Sequence, residues 1–389
     1  MAGDHFRVLR LGTLEFSADR FQAGLETRTD HMTDGAELVA LKCELSQVRG
    51  LDFKGLPEAD PKRTEADLKR TTSPHPRRPS PDPRREIPGM TTALDRIRVG
   101  SAPDSWGVWF PDDPQQVPWE RFLDEVCEAG YSWIELGPYG YLPTDPARLT
   151  EELDKRGLQV SAGTVFTSLH RGPAVWESTW EQVGQVAALT QATRAGHLVV
   201  IPSFWRDDKT AATIEPPELT ARQWAHLTKG MERLGHQVKE TYGLDIVVHP
   251  HADTHIDTEE HVERFLDSTD PGLVNLCLDT GHYAYCGGDS VKLIETYGER
   301  IGYLHLKQVD PEILADVVEN GVPFGPAVQR VVMCEPPAGV PALEPVLLAA
   351  QGLGVELFAI VEQDMYPCPP DKPLPIAVRT RTFLRSCGA

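Results

Sequence analysis

The sequence predicts a (β/α)8 barrel over about residues 90–389, and two observations lead to this fold class. Eight short apolar segments alternate with helical patterns over roughly 300 residues, which suits a barrel of this type. Four of the segments end on residues of metal-binding type, namely His249, Asp279, His305 and Glu362. The carboxyl ends of the strands of such a barrel meet at one rim, where the active site lies. The fold therefore brings these four residues together.

The predicted strands are short continuous apolar runs, a pattern typical of strands that are buried on both faces of a parallel sheet. An open doubly wound sheet is the alternative fold. It normally carries a glycine-rich phosphate-binding turn after its first strand, and this chain has Ala102-Pro103-Asp104-Ser105-Trp106-Gly107 there, so the barrel is favoured. The predicted strands cover 96–102, 131–137, 158–164, 197–202, 244–249, 273–279, 301–306 and 357–362.

Helix signals lie between the predicted strands. Pro118 stands at an expected first helical position, and Asp145 precedes Pro146 as an N-cap precedes the first helical residue. Asp257, with Glu260 three residues later, resembles a capping box. Two longer helical stretches, about 175–195 and 216–241, flank the fourth strand.

Residues 1–89 differ in composition from the rest of the chain. The segment 71–90 contains six prolines among arginine, serine and aspartate. Such a segment cannot bury enough apolar surface to offset the entropy of ordering it. Two interpretations remain open: the protein begins at Met90, or residues 1–89 form a mobile, poorly ordered arm.

Composition and charge restrict the partners of the protein. The net charge of −20 argues against binding to nucleic-acid phosphates, which requires a basic surface. No apolar run approaches the roughly 20 residues that span a bilayer, and the first residues lack the pattern of a secretory signal. The seven cysteines show no paired spacing, which favours reduced thiols. We therefore expect a cytoplasmic protein without nucleic-acid or membrane partners, while a homo-oligomer remains open.

The four candidate ligands are two imidazoles and two carboxylates. Singly, each has a simpler interpretation, such as a structural hydrogen bond or a capped turn. As a set they suit a divalent ion with open positions for substrate oxygens. The absence of a thiolate favours Mn²⁺ or Co²⁺, with Mg²⁺ and Zn²⁺ as alternatives.

The motifs at the last three strands resemble those of the xylose-isomerase-like TIM barrels. This family includes sugar phosphate isomerases and epimerases, inosose dehydratase, dehydroshikimate dehydratase and endonuclease IV. Its Asp-x-x-His, His-x-Lys and Glu motifs match Asp279-Thr280-Gly281-His282, His305-Leu306-Lys307 and Glu362. The resemblance covers about residues 96–366. It implies a metal-dependent enzyme that acts on a small polyhydroxylated ketone.

The fifth strand departs from the pattern of the family's epimerases and isomerases, which usually have Glu where this chain has His249. Those enzymes use two carboxylates on opposite faces of the substrate, and here Glu362 is the only member of that pair. His249-Pro250-His251 together with Glu362-Gln363-Asp364 is most similar to the inosose dehydratase branch. The resemblance implies dehydration of a keto-cyclitol or keto-sugar through an enediolate. Isomerisation or epimerisation at the same metal, or sugar binding without catalysis, are the alternatives.

Other residues near the predicted rim are candidates for catalysis. Glu362 is expected to act as the base as well as a ligand. His251 and His282 each stand beside a ligand, as a general acid or as a hydrogen-bonding support for that ligand. Lys307 follows His305 by two residues and shares its side of the strand, so it is expected to bind a substrate oxygen or to pair with a ligand carboxylate.

Four further residues are candidates for substrate binding. Glu135, at the end of the second strand, is expected to bond a substrate hydroxyl or to brace a ligand. Trp109 and Trp205 follow the first and fourth strands and are candidate walls of the site. Arg206 is a candidate for binding an anionic group, although one arginine does not indicate a phosphorylated substrate.

Two features between the strands have weaker implications. Residues 308–340 form a long excursion, and long loops at the catalytic rim are often lids. His255 and His261 fall in or beside the fifth helix, where we expect surface residues.

Overall fold

The computed structural model describes residues 96–207 and 210–389. The predictions for residues 1–89 lie outside the described residues. Within the described ranges, eight parallel strands form a closed ring, in which each strand pairs with its neighbour along the chain and the last pairs with the first. The predicted (β/α)8 barrel is confirmed.

The barrel strands lie close to the predicted ones, and two small strands outside the barrel were not predicted. The latter are β8 (Gln308–Val309) and β9 (Met333–Cys334), which pair antiparallel. The barrel strands are β1 (Ile97–Ser101), β2 (Trp133–Glu135), β3 (Gln159–Thr167), β4 (His197–Pro202), β5 (Asp245–Val248), β6 (Val274–Asp279), β7 (Ile301–Leu306) and β10 (Leu357–Val361).

Helices follow the strands and cover the outside of the barrel. They are α1 (Trp119–Glu128), α2 (Pro146–Asp154), α3 (Trp176–Ala192), α4 (Ala221–Tyr242), α5 (Glu259–Asp267), α6 (Thr280–Tyr285), α7 (Ser290–Tyr297), α8 (Pro311–Glu319), α9 (Phe324–Gln329), α10 (Leu343–Gly352) and α11 (Pro373–Ser386). No helix of residues 96–207 or 210–389 combines the length and the apolar character needed to cross a membrane.

Apolar side chains fill the inside of the barrel, so the interior is a packed core with no channel through it. Tyr303 is fully buried there, and its hydroxyl donates to Ser161 Oγ at 2.7 Å. A larger apolar cluster joins the outer faces of the strands to the helices. The interior cluster consists of Ala102, Ala162, Val199, Ile201, Val247, Cys277, Tyr303 and Ile360.

The helix caps confirm one local prediction and correct another. Asp145 accepts a hydrogen bond from the Arg148 backbone amide at 2.8 Å, so it caps α2 as predicted. The predicted capping box at Asp257 is wrong, because Thr258 has the extended backbone of an N-cap and accepts from the His261 amide. Asp257 binds the His261 ring instead.

The excursion at 308–340 is a folded unit. It contains β8, α8, α9 and β9, and its apolar residues form a cluster of their own. Phe324, the first residue of α9, reaches the rim of the barrel and touches the rings of His251 and His282. The excursion therefore supplies a wall of the site, whereas its movement as a lid stays a prediction.

Candidate metal centre

The structure brings the four predicted ligands together at the carboxyl-terminal rim. His249 follows β5, Asp279 ends β6, His305 lies in β7, and Glu362 follows β10. The backbone amides of His249 and Glu362 still bond to the neighbouring strands, which fixes both residues beyond the formal strand ends. One donor atom from each of the four lies within 4.8 Å of the others, and all four residues are buried.

The distances between the donor atoms suit a shared ion. His249 Nε2 lies 3.2 Å from Asp279 Oδ2. His305 Nδ1 lies 3.0 Å from Glu362 Oε2 and 3.7 Å from Asp279 Oδ2. Two ligands that bind one ion at about 2.1 Å are about 3.0–3.4 Å apart in octahedral or tetrahedral geometry. Small side-chain shifts would therefore complete the coordination.

Glu135 orients the ring of His305. Its Oε1 accepts from His305 Nε2 at 2.7 Å, and both side chains are buried. In a neutral ring this bond leaves a lone pair on Nδ1, which faces the carboxylates of Glu362 and Asp279. Burial alone would lower the pKa of His305, but Cys277, Glu362 and Glu135 raise it well above its usual value. The position therefore attracts a cation, and a carboxylate–histidine–metal arrangement fits it.

Lys307 extends into the same cluster of charges. Its Nζ lies 3.2 Å from Asp279 Oδ2, 2.9 Å from Glu362 Oε2 and 3.0 Å from Asp364 Oδ2. Burial alone would lower the pKa of Lys307, whereas Asp279, Asp364 and Glu362 raise it well above its usual value. Lys307 is therefore an ammonium ion held between ligand and non-ligand carboxylates.

Five carboxylates lie at the rim around the ammonium of Lys307. Burial, followed by the charge of Glu362, raises the pKa of Asp104 well above its usual value. Burial also raises the pKa of Asp364. These shifts show that burial disfavours the ionised forms of Asp104 and Asp364, and a divalent cation beside them would favour ionisation. The carboxylates concerned are Asp104, Glu135, Asp279, Glu362 and Asp364.

The Asp-x-x-His motif has a structural role in addition to supplying a candidate ligand. Asp279 is the N-cap of α6, and its Oδ1 accepts from the His282 backbone amide at 2.7 Å, which leaves Oδ2 directed at the ion site. The His282 ring lies between the Ala252 amide and Lys307 Nζ, at 3.4 and 3.2 Å. His282 is not among the described residues that line the cavity, so the structure places it behind the site.

His251 lines the cavity itself. Its Nδ1 donates to the Ala252 carbonyl at 2.7 Å, and its ring lies 3.6 Å from that of His282. Burial, with the charges of His249 and Lys307, lowers the pKa of His251 to about 3. The ring is therefore neutral at neutral pH.

A cavity of about 600 Å³ opens above the ligands, and the structure places most of the predicted substrate-binding residues on its walls. Trp109, Glu135 and Arg206 line it, with Trp109 stacked on Tyr366. Trp205 is not among the described lining residues, and its ring lies against the Arg206 guanidinium. The sequence did not indicate the lining residues Asp104, Tyr139, Phe166, Asp253 and Phe324, and it indicated Asp364 only as part of the Glu362-Gln363-Asp364 motif.

Arg206 is already paired within the protein. Its Nε lies 3.3 Å from Asp253 Oδ2, and its guanidinium donates to the Ala211 carbonyl at 3.1 Å. Lys307 and Arg206 are the basic residues among the described walls of the cavity, and both face carboxylates. This pairing disfavours a phosphorylated substrate.

Comparisons with known proteins agree with this architecture. The model of the xylose isomerase-like TIM barrel family matches residues 123–372. Inosose dehydratase from Geobacillus thermodenitrificans is 29% identical over 299 residues, which are 76% of this chain and 98% of that protein. Inosose dehydratase from Lacticaseibacillus casei is 28% identical over 299 residues, which are 74% of this chain and 96% of that protein. These relatives confirm the predicted similarity to inosose dehydratases.

Solved structures share the fold. The IOLI protein with a bound zinc atom aligns with a TM-score of 0.57 at 15% identity, over 74% of this chain and 98% of that chain. D-psicose 3-epimerase in the presence of D-fructose aligns with a TM-score of 0.57 at 14% identity, over 75% of this chain and 100% of that chain. With the motifs, the barrel and the family match in agreement, this chain belongs to the xylose isomerase-like TIM barrel family.

Proposed function

We propose that this protein is a divalent-metal-dependent dehydratase that acts on a keto-cyclitol or keto-sugar. The observation that carries the proposal is the donor set of the site, in which the residue after β5 is the imidazole of His249 and the carboxylates among the four candidate ligands are Asp279 and Glu362. A dehydratase needs one base for the proton beside the carbonyl and one acid for the departing hydroxyl. The relatives named inosose dehydratase, which align over nearly their whole length, support the same reaction.

The residues that would hold the ion are His249, Asp279, His305 and Glu362. We infer Mn²⁺ or Co²⁺ from the nitrogen and oxygen donors, with Mg²⁺ or Zn²⁺ as alternatives. Such an ion supplies a Lewis acid that polarises a carbonyl group.

Glu362 is the proposed base. Burial alone would raise its pKa, but the charges of His305 and Lys307 outweigh burial and hold it at about 2. The carboxylate is therefore ionised in the neutral range, which is the protonation state that a base for the carbon beside the carbonyl requires. Glu362 lines the cavity, where a bound ketone would lie within its reach.

Lys307 is the proposed acid, because it is protonated and lines the cavity, whereas the His251 ring is neutral and His282 is not among the described lining residues. Its ammonium lines the cavity and can give a proton to the departing hydroxyl, which leaves as water. Lys307 Nζ lies 2.9 Å from Glu362 Oε2, so the proton taken by Glu362 can pass to Lys307 and restore both groups. His251 Nε2 remains available to accept a hydrogen bond from a substrate hydroxyl.

The experiment is incubation of the metal-loaded protein in deuterated water with a panel of keto-cyclitols and ketoses. Loss of one water from the substrate, measured by mass spectrometry, is the expected result. Deuterium uptake without loss of water would indicate that the protein is an isomerase or epimerase and not a dehydratase. Neither change on any substrate would indicate a barrel that binds sugars without turnover.

The second candidate function is isomerisation or epimerisation of a ketose at the same site. It is favoured by the carboxylates of Glu135 and Asp364, which line the cavity in addition to Glu362. Either could serve as a second proton carrier in place of the glutamate that the fifth strand lacks. Glu135, however, is bonded to His305, and Asp364 is bonded to Lys307, which limits both.

A further inference from the structure

A second group of donor atoms lies outside the rim site. His170 is in the 3-10 helix Leu169–Arg171 after β3, Glu215 follows β4, and His255 follows β5. One donor atom from each lies within 4.8 Å of the others. The described walls of the rim cavity do not include these three residues, which we call the outer cluster. We propose that the outer cluster is a second divalent-metal site, with two imidazoles and one carboxylate as ligands, suited to zinc.

The ring of His255 is oriented as a metal ligand would be. His255 was predicted to lie at the surface, but the residue is only 2% exposed. Its Nδ1 lies 2.9 Å from the carbonyl oxygen of Pro217, so Nδ1 carries the proton. Nε2 is buried, has no hydrogen-bond partner among the described residues, and lies 3.7 Å from Glu215 Oε2. Donation from Nδ1 to a backbone carbonyl, with Nε2 directed at the ion, is the usual state of a ligand histidine.

Glu215 Oε2 is shared by both rings. It lies 2.7 Å from His170 Nε2 and 3.7 Å from His255 Nε2, and the ring centroids are 4.5 Å apart. Two ligands of a tetrahedral ion at about 2.1 Å are about 3.4 Å apart, a value between these two distances. A lone pair on His255 Nε2 that faces a carboxylate oxygen is repulsive unless a cation lies between them. An ion there would satisfy all three atoms at once.

Arg171 supports this arrangement from the other side. Its guanidinium binds Glu215 Oε1, with Nε at 2.8 Å. Oε2 faces the two rings, within hydrogen-bond distance of His170 Nε2, and the arginine fixes the plane of the carboxylate. Such outer partners are typical of carboxylates that bind metals. The Glu215 side chain is 17% exposed, so a water molecule can reach a fourth coordination position.

The outer cluster is linked to a wall of the rim cavity. The Glu215 amide donates to the Trp205 carbonyl at 3.1 Å, and Phe204 pairs with Thr254. Phe204 and Arg206 line the cavity. An ion in the outer cluster would therefore fix the segment that carries these two residues, and its role would be structural.

The test is a zinc titration of the full-length protein after removal of metals, in competition with a chromophoric chelator. We expect His255→Gln to bind one equivalent of Zn²⁺ fewer than the wild type. His236→Gln is the matched control, because His236 is an exposed histidine of α4, and it should keep the wild-type number. An unchanged number in His255→Gln would overturn the proposal. The count needs no substrate, so it is independent of the proposed reaction.

Two measurements protect the test against a folding defect. Glu215→Gln keeps the shape of the side chain and should also lose one equivalent, so it supplies the count if His255→Gln does not fold. Wild-type crystals soaked in zinc should show an anomalous peak between His170, Glu215 and His255, separate from the peak at the rim. A rim peak without a second one would mean that a proton occupies the outer cluster, and would refute the metal site.

Discussion

The charge of a single carboxylate decides the proposed chemistry. Glu362→Gln keeps the size of the side chain but removes its charge and basicity. We expect the substrate to bind while turnover falls by about 10²–10⁴, the usual contribution of a positioned base. Steady-state kinetics and direct binding measure the two effects, with metal content determined in parallel because Glu362 is also a proposed ligand.

The matched control for this variant is Glu356→Gln. Glu356 immediately precedes β10, at the end away from the rim, and pairs with Arg98 on the surface. It should have wild-type kinetics. A Glu362→Gln protein with full metal content and wild-type turnover would show that Glu362 is not the base.

The residue after β5 offers the complementary test. His249→Glu creates the two-carboxylate arrangement of the family's epimerases. We expect this variant to keep its metal, since a carboxylate can replace the imidazole as a ligand, but to dehydrate the substrate more slowly. Deuterium exchange at the carbon beside the carbonyl, followed by mass spectrometry, should accompany the loss. Unchanged dehydration would show that the residue after β5 does not determine the reaction.

The sequence could predict the candidate ligands but not all their neighbours. His249, Asp279, His305 and Glu362 each end or follow an apolar run, and the barrel places such positions at one rim. Asp104 lies beyond a strand, in the 3-10 helix Pro103–Trp106, where strand alternation no longer determines the direction of a side chain. Trp205 also lies beyond a strand, and it does not line the cavity although its neighbours Phe204 and Arg206 do.

At the scale of single elements, the cap of α5 can be tested. Thr258→Ala removes the hydroxyl that accepts from the His261 amide, and we expect the free energy of unfolding to fall by about 1 kcal/mol. Thr296→Ala is the control, because Thr296 is exposed within α7 and bonds only within its own helix; it should change by less than about 0.5 kcal/mol. Urea denaturation measures both. Equal effects would show that Thr258 has no special capping role.

Elements with strong local signals were predicted well, and those formed by tertiary contacts were not. β4 and β7 match their predicted bounds because both are continuous apolar runs. α6 has only six residues and is capped by Asp279, so its start depends on the same side chain as the candidate ion site. The short strands β8 and β9 pair across a 23-residue separation that no local pattern indicates.

At the scale of the whole molecule, the family match suggests which part of the chain is sufficient for activity. The relatives align over 98% and 96% of their own lengths with about three quarters of this chain. We therefore predict that a protein beginning at Met90 keeps the metal content and turnover of the full chain. Limited proteolysis followed by both assays tests this expectation. Loss of metal or activity on removal of residues 1–89 would assign that segment to the functional unit.

The folding stability of the barrel should also depend on pH through a residue far from the rim. His197 begins β4 at the amino-terminal end of the barrel, and its ring contacts Tyr303 and Phe358. Burial lowers its pKa below the usual value of 6.5, with Asp245 opposing the shift. Below about pH 6.5 the unfolded chain therefore binds a proton that the folded chain excludes, so the free energy of unfolding decreases as the pH falls.

One titrating group can change the free energy of unfolding by at most about 1.4 kcal/mol per pH unit. For His197 this change is confined to the range between pH 6.5 and its lower pKa in the folded protein. His197→Gln removes the titrating ring, so its stability should fall less on acidification than that of the wild type. Urea denaturation of both proteins from about pH 8 to about pH 5 measures the difference. Because other titrating groups are common to both proteins, the difference isolates His197. Parallel pH profiles would mean that its folded and unfolded pKa values are equal, and that this end of the barrel accommodates the charged ring.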